Sequence, residues 1–156
     1  MEWIDLKEYW PTIERLSDER HQQKKNYKTA LHYSKHVTHI VGLAGEFTVS
    51  AMCDRYVDHR LLVAGDGGVD FTSDGKTIDV KASRYWREPH LRQFTNPKHW
   101  ADYYILVGVD VDNKRGRVAG HCTKEMLKAA PKFNYGHGSR LSMHPNQLIP
   151  GLPPNM

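Results

Sequence analysis

Four residues carry the chemistry this sequence offers: Glu46, Asp70, Asp79 and Lys81. Asp70 opens the run Asp70-Phe71-Thr72-Ser73, an Asp74-Gly75 pair follows, and Lys76-Thr77-Ile78-Asp79-Val80-Lys81 comes next. An Asp-Gly pair between alternating apolar residues predicts a β-hairpin closed by a two-residue loop. Such a loop pairs Ser73 with Lys76, Thr72 with Thr77, Phe71 with Ile78 and Asp70 with Asp79. Val69, Phe71, Ile78 and Val80 then share an apolar face, while Asp70, Thr72, Thr77, Asp79 and Lys81 share the other. A slip of one residue would mix the faces, so burial specifies this register. It sets two carboxylates opposite each other, with Cβ atoms roughly 4.5–5.5 Å apart. Like charges placed so need a cation between them. Lys81 is one source, and a divalent ion is another, because oxygen-only ligands suit Mg²⁺ or Mn²⁺. In the plainer alternative, both aspartates flank a Lys81 salt bridge on a solvated sheet face.

Glu46 raises the same question from a different element. Residues 30 to 57 read as a long helix whose centre is apolar on nearly every side, the pattern of a helix packed on more than one face. A carboxylate in that setting must reach a cation, a donor or water. Gly42 and Gly45 each cost about 1 kcal/mol of helix propensity relative to Ala, and close approach of a neighbouring element explains them most simply.

The remaining elements follow from period and punctuation. Trp3, Leu6, Trp10, Ile13 and Leu16 have helical spacing. Pro11 either kinks that helix or sits in the first turn of a second one. The basic stretch from Arg20 to Lys28 reads as a solvated helix end or loop. Leu61 to Val63 suits a short strand before the turn Gly65-Asp66-Gly67-Gly68. Residues 82 to 100 show no clear period and read as loop with one helical turn at most. Tyr103 to Val111 is a continuous apolar run of the kind that fills a strand buried on both faces, and Arg117 to His121 is its partner strand. Thr123 caps a short helix running to Ala130, which Pro131 ends. The expected organisation is a helical extension (1–29), a core (30–130) and an irregular tail (131–156).

Composition excludes several classes. At 156 residues, with 39% apolar and 26% charged residues, the sequence suits one folded domain rather than a disordered or fibrous chain. No apolar run approaches the ~20 residues of a membrane helix. The two cysteines, Cys53 and Cys122, lie far apart without metal-site spacing. That usage, and an acidic amphipathic start unlike a secretory leader, predicts a cytoplasmic protein. A net charge of +4 is compatible with a polyanionic partner.

Glu46 on a helix, Asp70 at a strand start and Asp79-Val80-Lys81 after a hairpin together resemble the PD-(D/E)xK nuclease superfamily. The resemblance covers roughly residues 30 to 130. One departure is visible: Val69 stands where the name-giving motif has proline. The resemblance implies an α/β, restriction-endonuclease-like αβββαβ core, a mixed central sheet flanked by helices, preceded here by an extra N-terminal helix. It implies that Asp70, Asp79 and the Val80 carbonyl bind one or two Mg²⁺ or Mn²⁺ ions, that Glu46 completes the shell, and that Lys81 positions and activates a water. Small archaeal Holliday-junction resolvases are similar in size and motif order and act as dimers, so a homodimer is expected here too. Phage and prophage genomes carry many small proteins similar to this one.

Between residues 84 and 100 four basic groups, Arg84, Arg87, Arg92 and Lys98, face one acid, Glu88, and are interleaved with Tyr85, Trp86, Phe94 and Trp100. Basic groups neutralise phosphates and aromatics stack on exposed bases, so Arg84, Trp86, Arg87, Arg92 and Lys98 are nucleic-acid contacts in this reading; aromatics closing the core under a loop are the alternative. His39 or His36 could extend the metal shell, but two helical turns separate His39 from Glu46, far for one ion, so both read as ordinary histidines. His121, His137 and His144, with Asn134 and Asn146, match no strong nuclease spacing. Cys53 reads as a small packed residue. The expected protein is thus a metal-dependent endonuclease, structure-selective or nonspecific, acting on DNA with RNA open. The rival is a non-catalytic nucleic-acid-binding or assembly protein retaining the fold.

Overall fold

Pro11 starts a helix rather than kinking one. In the computed structural model, which describes residues 2–23, 32–53, 70–134, 136 and 138–156, helix α1 spans Trp10–Gln23. Pro11 is its second residue, where a missing N–H costs nothing. The helical spacing does not extend back to Trp3: Ile4–Asp5 forms a two-residue strand, β1. Leu6 then donates its N–H to the Lys114 carbonyl at 2.8 Å, tying the N-terminal segment to a distant hairpin.

Helix α2 spans His32–Cys53. Val41, Leu43, Ala44, Phe47 and Val49 are all buried along it, because α1 packs on one side and the central sheet on another. Its two central glycines have different reasons. A Cβ on Gly45 would lie 2.8 Å from the Ala82 Cβ, so glycine there permits contact with the sheet; a Cβ on Gly42 would meet nothing within 4 Å. Close approach therefore explains Gly45 and not Gly42.

The hairpin strands are β2 (Phe71–Ser73) and β3 (Lys76–Ser83). Then come β4 (Leu91–Phe94), β5 (Tyr103–Asp110) and β6 (Arg115–Thr123). The central sheet has the order β1-β6-β5-β3-β2, with β3 parallel to β5 and the other pairs antiparallel. The chain is thus an α/β structure with a mixed sheet. Thr123 caps α3 (Lys124–Lys128) by accepting the Met126 N–H; that helix stops two residues short of Ala130.

Two expectations fail in the same region. Residues 82 to 100 are not simply loop, since β3 runs through Ser83 and β4 follows, so the β3-to-β5 crossover carries a strand where an αβββαβ core has a helix. The tail after Pro131 is not irregular: β7 (Lys132–Asn134) and β8 (Ser139–Met143) join β4 in a second sheet, β4-β8-β7, followed by a 3₁₀ turn at Pro145–Gln147. Helix α2 covers one face of the central sheet, and α1 packs against α2. The other face packs Tyr104, Leu106 and Cys122 against Leu91, Leu141, Met143 and Leu127, so the second sheet and α3 cover it. Burial pushes the Cys122 thiol up to about 12, leaving it a packing group.

The last residues dock. His121 exchanges backbone hydrogen bonds with Ile149 at 2.9 and 2.8 Å, and the Ser73 hydroxyl donates to the Asn155 carbonyl at 2.9 Å. Among the described residues no helix is long and apolar enough to cross a membrane. The expected strand at Leu61–Val63, the glycine-rich turn at 65–68, Val69 and residues 24–28 of the basic stretch lie outside the described residues.

Candidate active site

Asp74 and Gly75 both take positive φ, 51° and 72°, the backbone that a two-residue hairpin loop requires. The pairs Ser73↔Lys76, Thr72↔Thr77 and Phe71↔Ile78 follow as the sequence predicts. The next pair does not. The Asp70 N–H donates to the Ile78 carbonyl at 2.8 Å, so Asp70 and Phe71 share one opposite residue and the strand bulges. Asp70 is therefore not the ladder partner of Asp79. The bulge turns its carboxylate onto the Val80 N–H, which donates to it at 2.7 Å.

The faces divide as the alternation requires. Phe71, Ile78 and Val80 pack with α2. Asp79 and Lys81 are aligned with Tyr104 and Leu106 of β5 and face the second sheet. Asp102 holds the start of β3 in place by accepting from the Thr77 N–H at 2.9 Å and its hydroxyl at 3.1 Å.

From its bulged edge position Asp70 reaches both sides of the sheet. Its carboxyl lies within hydrogen-bonding reach of Glu46 on α2 and of Asp79 on β3, and Asp79 pairs with the Lys81 ammonium at 2.9 Å. Glu46, Asp70, Asp79 and Lys81 thus form one continuous contact chain, with Glu46 and Asp79 only 6% and 4% exposed. Burial, reinforced by Glu46, raises Asp70 to about 7 against the opposing Val80 N–H. Burial raises Asp79 to about 8, with Lys81 opposing and Asp70 adding to the rise. Once ionised, the three carboxyl groups outnumber the one ammonium, and all the ligand atoms they offer are oxygens. That donor set fits Mg²⁺ or Mn²⁺.

Lys81 lies between two clefts. One, of about 530 Å³, is lined by Asp79, Lys81, Phe94, Lys98, His99 and Arg140 among others. The second, of about 400 Å³, includes Lys81, Arg84, His90 and Arg92. Lys98 therefore shares a cleft with Asp79, while Arg84 and Arg92 share theirs with Lys81 and with none of the carboxylates. Trp86 and Arg87 are placed elsewhere: Trp86 packs edge-on against Trp3 at 5.2 Å, Arg87 lies over Trp86 at 4.5 Å, and Arg115 and Arg117 lie over Trp3 at 4.0 and 4.4 Å. His39 is half-buried on α2; the His36 side chain and His137 lie outside the described residues. His121 is used in packing, its Nδ1 within 2.8 Å of the Gly151 carbonyl. Asn134 accepts the Gly136 N–H.

A second group escaped the sequence reading. Glu88, His90 and His144 bring ligand atoms within 4.8 Å of one another and could hold a metal ion. The pair Leu91↔Met143 explains why, since it sets His90 against His144 at the sheet end. Only recognition of β4 and β8 as partners would have revealed it. The group has a handicap: the His144 Nδ1 accepts the Asn146 N–H at 3.2 Å, so the ring proton belongs on Nε2, which faces Glu88 at 3.2 Å. A metal ligand at Nε2 would reverse that tautomer. Nor does the sequence mark Arg140, which lines the larger cleft, or Phe133, its ladder partner on β7.

Comparison with protein-family models, curated proteins and solved structures finds no match to this chain.

Proposed function

We propose that the protein is a divalent-metal-dependent nuclease of the PD-(D/E)xK type, on a restriction-endonuclease-like core that departs from the αβββαβ order at the β3-to-β5 crossover, and that it hydrolyses phosphodiester bonds in DNA. The observation that carries this reading is the contact chain Glu46–Asp70–Asp79–Lys81, assembled from one helix and two strands at one end of a basic cleft. A group of acids placed only for solubility would be solvated, whereas these are buried against one another, a cost that protons relieve at low pH and a bound cation would relieve once they ionise.

Asp70, Asp79, Glu46 and the Val80 carbonyl would hold Mg²⁺ or Mn²⁺. When bound, such an ion lowers the pKa of a water and neutralises charge on phosphate oxygens. The chain's own residues supply the rest. The Val80 N–H fixes the Asp70 carboxylate, Asp79 anchors Lys81, and the Lys81 ammonium orients the attacking water and offsets charge building on the phosphate. Arg84, Arg92 and Lys98 neutralise neighbouring phosphates along the two clefts.

The test incubates the protein with supercoiled plasmid, single-stranded DNA, a four-way junction and RNA, each with Mg²⁺, Mn²⁺ or EDTA. Metal-dependent cutting supports the reading, and the preferred substrate sorts structure-selective from nonspecific action. Retained binding without cutting on any substrate favours the non-catalytic nucleic-acid-binding alternative.

A further inference from the structure

The second sheet carries a row of side chains that the proposed chemistry does not use. Phe94 on β4 is directly opposite Arg140 on β8, and Arg140 is directly opposite Phe133 on β7. Residues opposed in this way share a sheet face, so the row reads phenylalanine, arginine, phenylalanine across three strands. Phe94 is 56% exposed and Phe133 51%, and the Arg140 guanidinium lies 4.3 Å from the Phe94 ring centroid. Arg92, two residues before Phe94, adds a further cation to that face.

Register freedom does not explain the exposed rings. The alternate residues Leu91, Gln93, Leu141 and Met143 are buried against the central sheet, which fixes the pairing. Gln93 also reaches the Tyr104 hydroxyl at 3.4 Å, and Tyr104 is aligned with Asp79. Gln93 thus ties β4, the strand that carries Phe94, to the strand beside Asp79. Phe94 and Arg140 line the same cleft as Asp79, Lys81 and Lys98.

We propose that this face is a binding platform for single-stranded nucleic acid: unpaired bases stack on Phe94 and Phe133, and Arg140, Arg92 and Lys98 neutralise the phosphates. Every base has a π-face for an exposed ring, but in a duplex that face is already stacked. The interleaved cations suit a polyanion. A cleft of about 530 Å³ is in the range that encloses a small molecule, nearer to a nucleotide or two than to a duplex. That the bound strand is delivered to Asp79 and Lys81 rests on the nuclease reading; the platform itself does not.

The experiment measures fluorescence anisotropy of a short labelled oligonucleotide, single-stranded or annealed to its complement, in EDTA so that cutting cannot interfere. The expected result is preference for the single strand. Phe94→Ala and Phe133→Ala each weaken single-strand binding by roughly 5- to 100-fold, with duplex binding little changed. Phe94→Trp, which keeps a stacking surface, retains affinity, and Arg140→Gln lowers the salt dependence by about one phosphate contact. Thermal melting confirms that each variant is folded. Equal affinity for duplex and single strand overturns the proposal, as does unchanged single-strand affinity in a folded alanine variant. Cutting without single-strand preference would sink the platform alone, and single-strand preference without cutting would sink catalysis alone.

Discussion

The Val80 N–H donates to the Asp70 carboxylate at 2.7 Å, across a bulge that leaves Asp70 and Phe71 facing the same residue, Ile78. A regular ladder would have set Asp70 beside Asp79 on one sheet face and left Glu46 on the other. Because the strand bulges, Asp70 links the two, and acids contributed by α2 and β3 become one site. The cost is concentrated charge, and its consequences can be measured.

In metal-free buffer stability should fall as pH rises. Asp70 and Asp79 are raised from 3.8 to about 7 and about 8, so the folded chain binds more protons than the unfolded chain across that interval, and unfolding free energy decreases with pH through it. Asp102 and Asp110 are held below the usual carboxylate range by hydrogen bonds from Thr77 and from Asn113 and Arg115, against desolvation at each. Their effect falls below about pH 4. Thermal melts in EDTA are expected to give a higher Tm at pH 5 than at pH 8, with Mg²⁺ or Mn²⁺ raising the pH 8 value. A flat or rising profile between those pH values would contradict the burial argument.

Asp79→Asn should flatten that profile and stabilise the metal-free protein at pH 8, because it removes one charge from the cluster. Lys81→Met should do the opposite. It takes away the 2.9 Å partner of Asp79 and is expected to cost about 1–3 kcal/mol at pH 8 in EDTA, less than for a fully buried pair because Lys81 is partly exposed. Urea titrations of the two variants read both effects, and the same sign in both would be a contradiction.

Gly42→Ala and Gly45→Ala should separate. At Gly42 the added methyl meets nothing within 4 Å, and helix propensity favours alanine by about 1 kcal/mol. At Gly45 the methyl would lie 2.8 Å from the Ala82 Cβ, forcing α2 away from β3 at an expected net cost of about 1–3 kcal/mol. Since Glu46 is the next residue, Gly45→Ala should also reduce nuclease activity. Equal effects on stability would refute the packing distinction.

Trp86→Ala and Arg92→Ala should differ in kind. Trp86 is packed on Trp3 in a cluster with Arg115 and Arg117, so its loss should lower stability by about 2–4 kcal/mol with little change in nucleic-acid affinity. Arg92, beside Lys81 in its cleft, should show the reverse: an unchanged Tm and weaker, less salt-dependent binding. Denaturation and binding curves on both variants decide it.

Features set by neighbours in sequence were legible before the structure. The hairpin register, the buried β5, the Thr123 cap and the many-sided burial of α2 each follow from a local pattern, and together they located Glu46, Asp70, Asp79 and Lys81. The bulge at Asp70 was not legible, since no glycine or proline marks it. Nor was the second sheet. Its strands are three to five residues long, too short for periodicity to stand out, and β4 meets β8 across some fifty residues of chain. That gap hid the Phe94–Arg140–Phe133 row and the Glu88–His90–His144 group, which exist only once β4 meets β8.

The central claim is tested most directly by the initial rate of plasmid nicking in Mn²⁺ by wild type and Asp79→Asn, with melting curves recorded on the same samples. The account predicts metal-dependent nicking that falls by at least about 100-fold in Asp79→Asn while that variant is folded and no less stable in EDTA at pH 8. Undiminished nicking by folded Asp79→Asn, or none by folded wild type with Mn²⁺ or Mg²⁺, would contradict it.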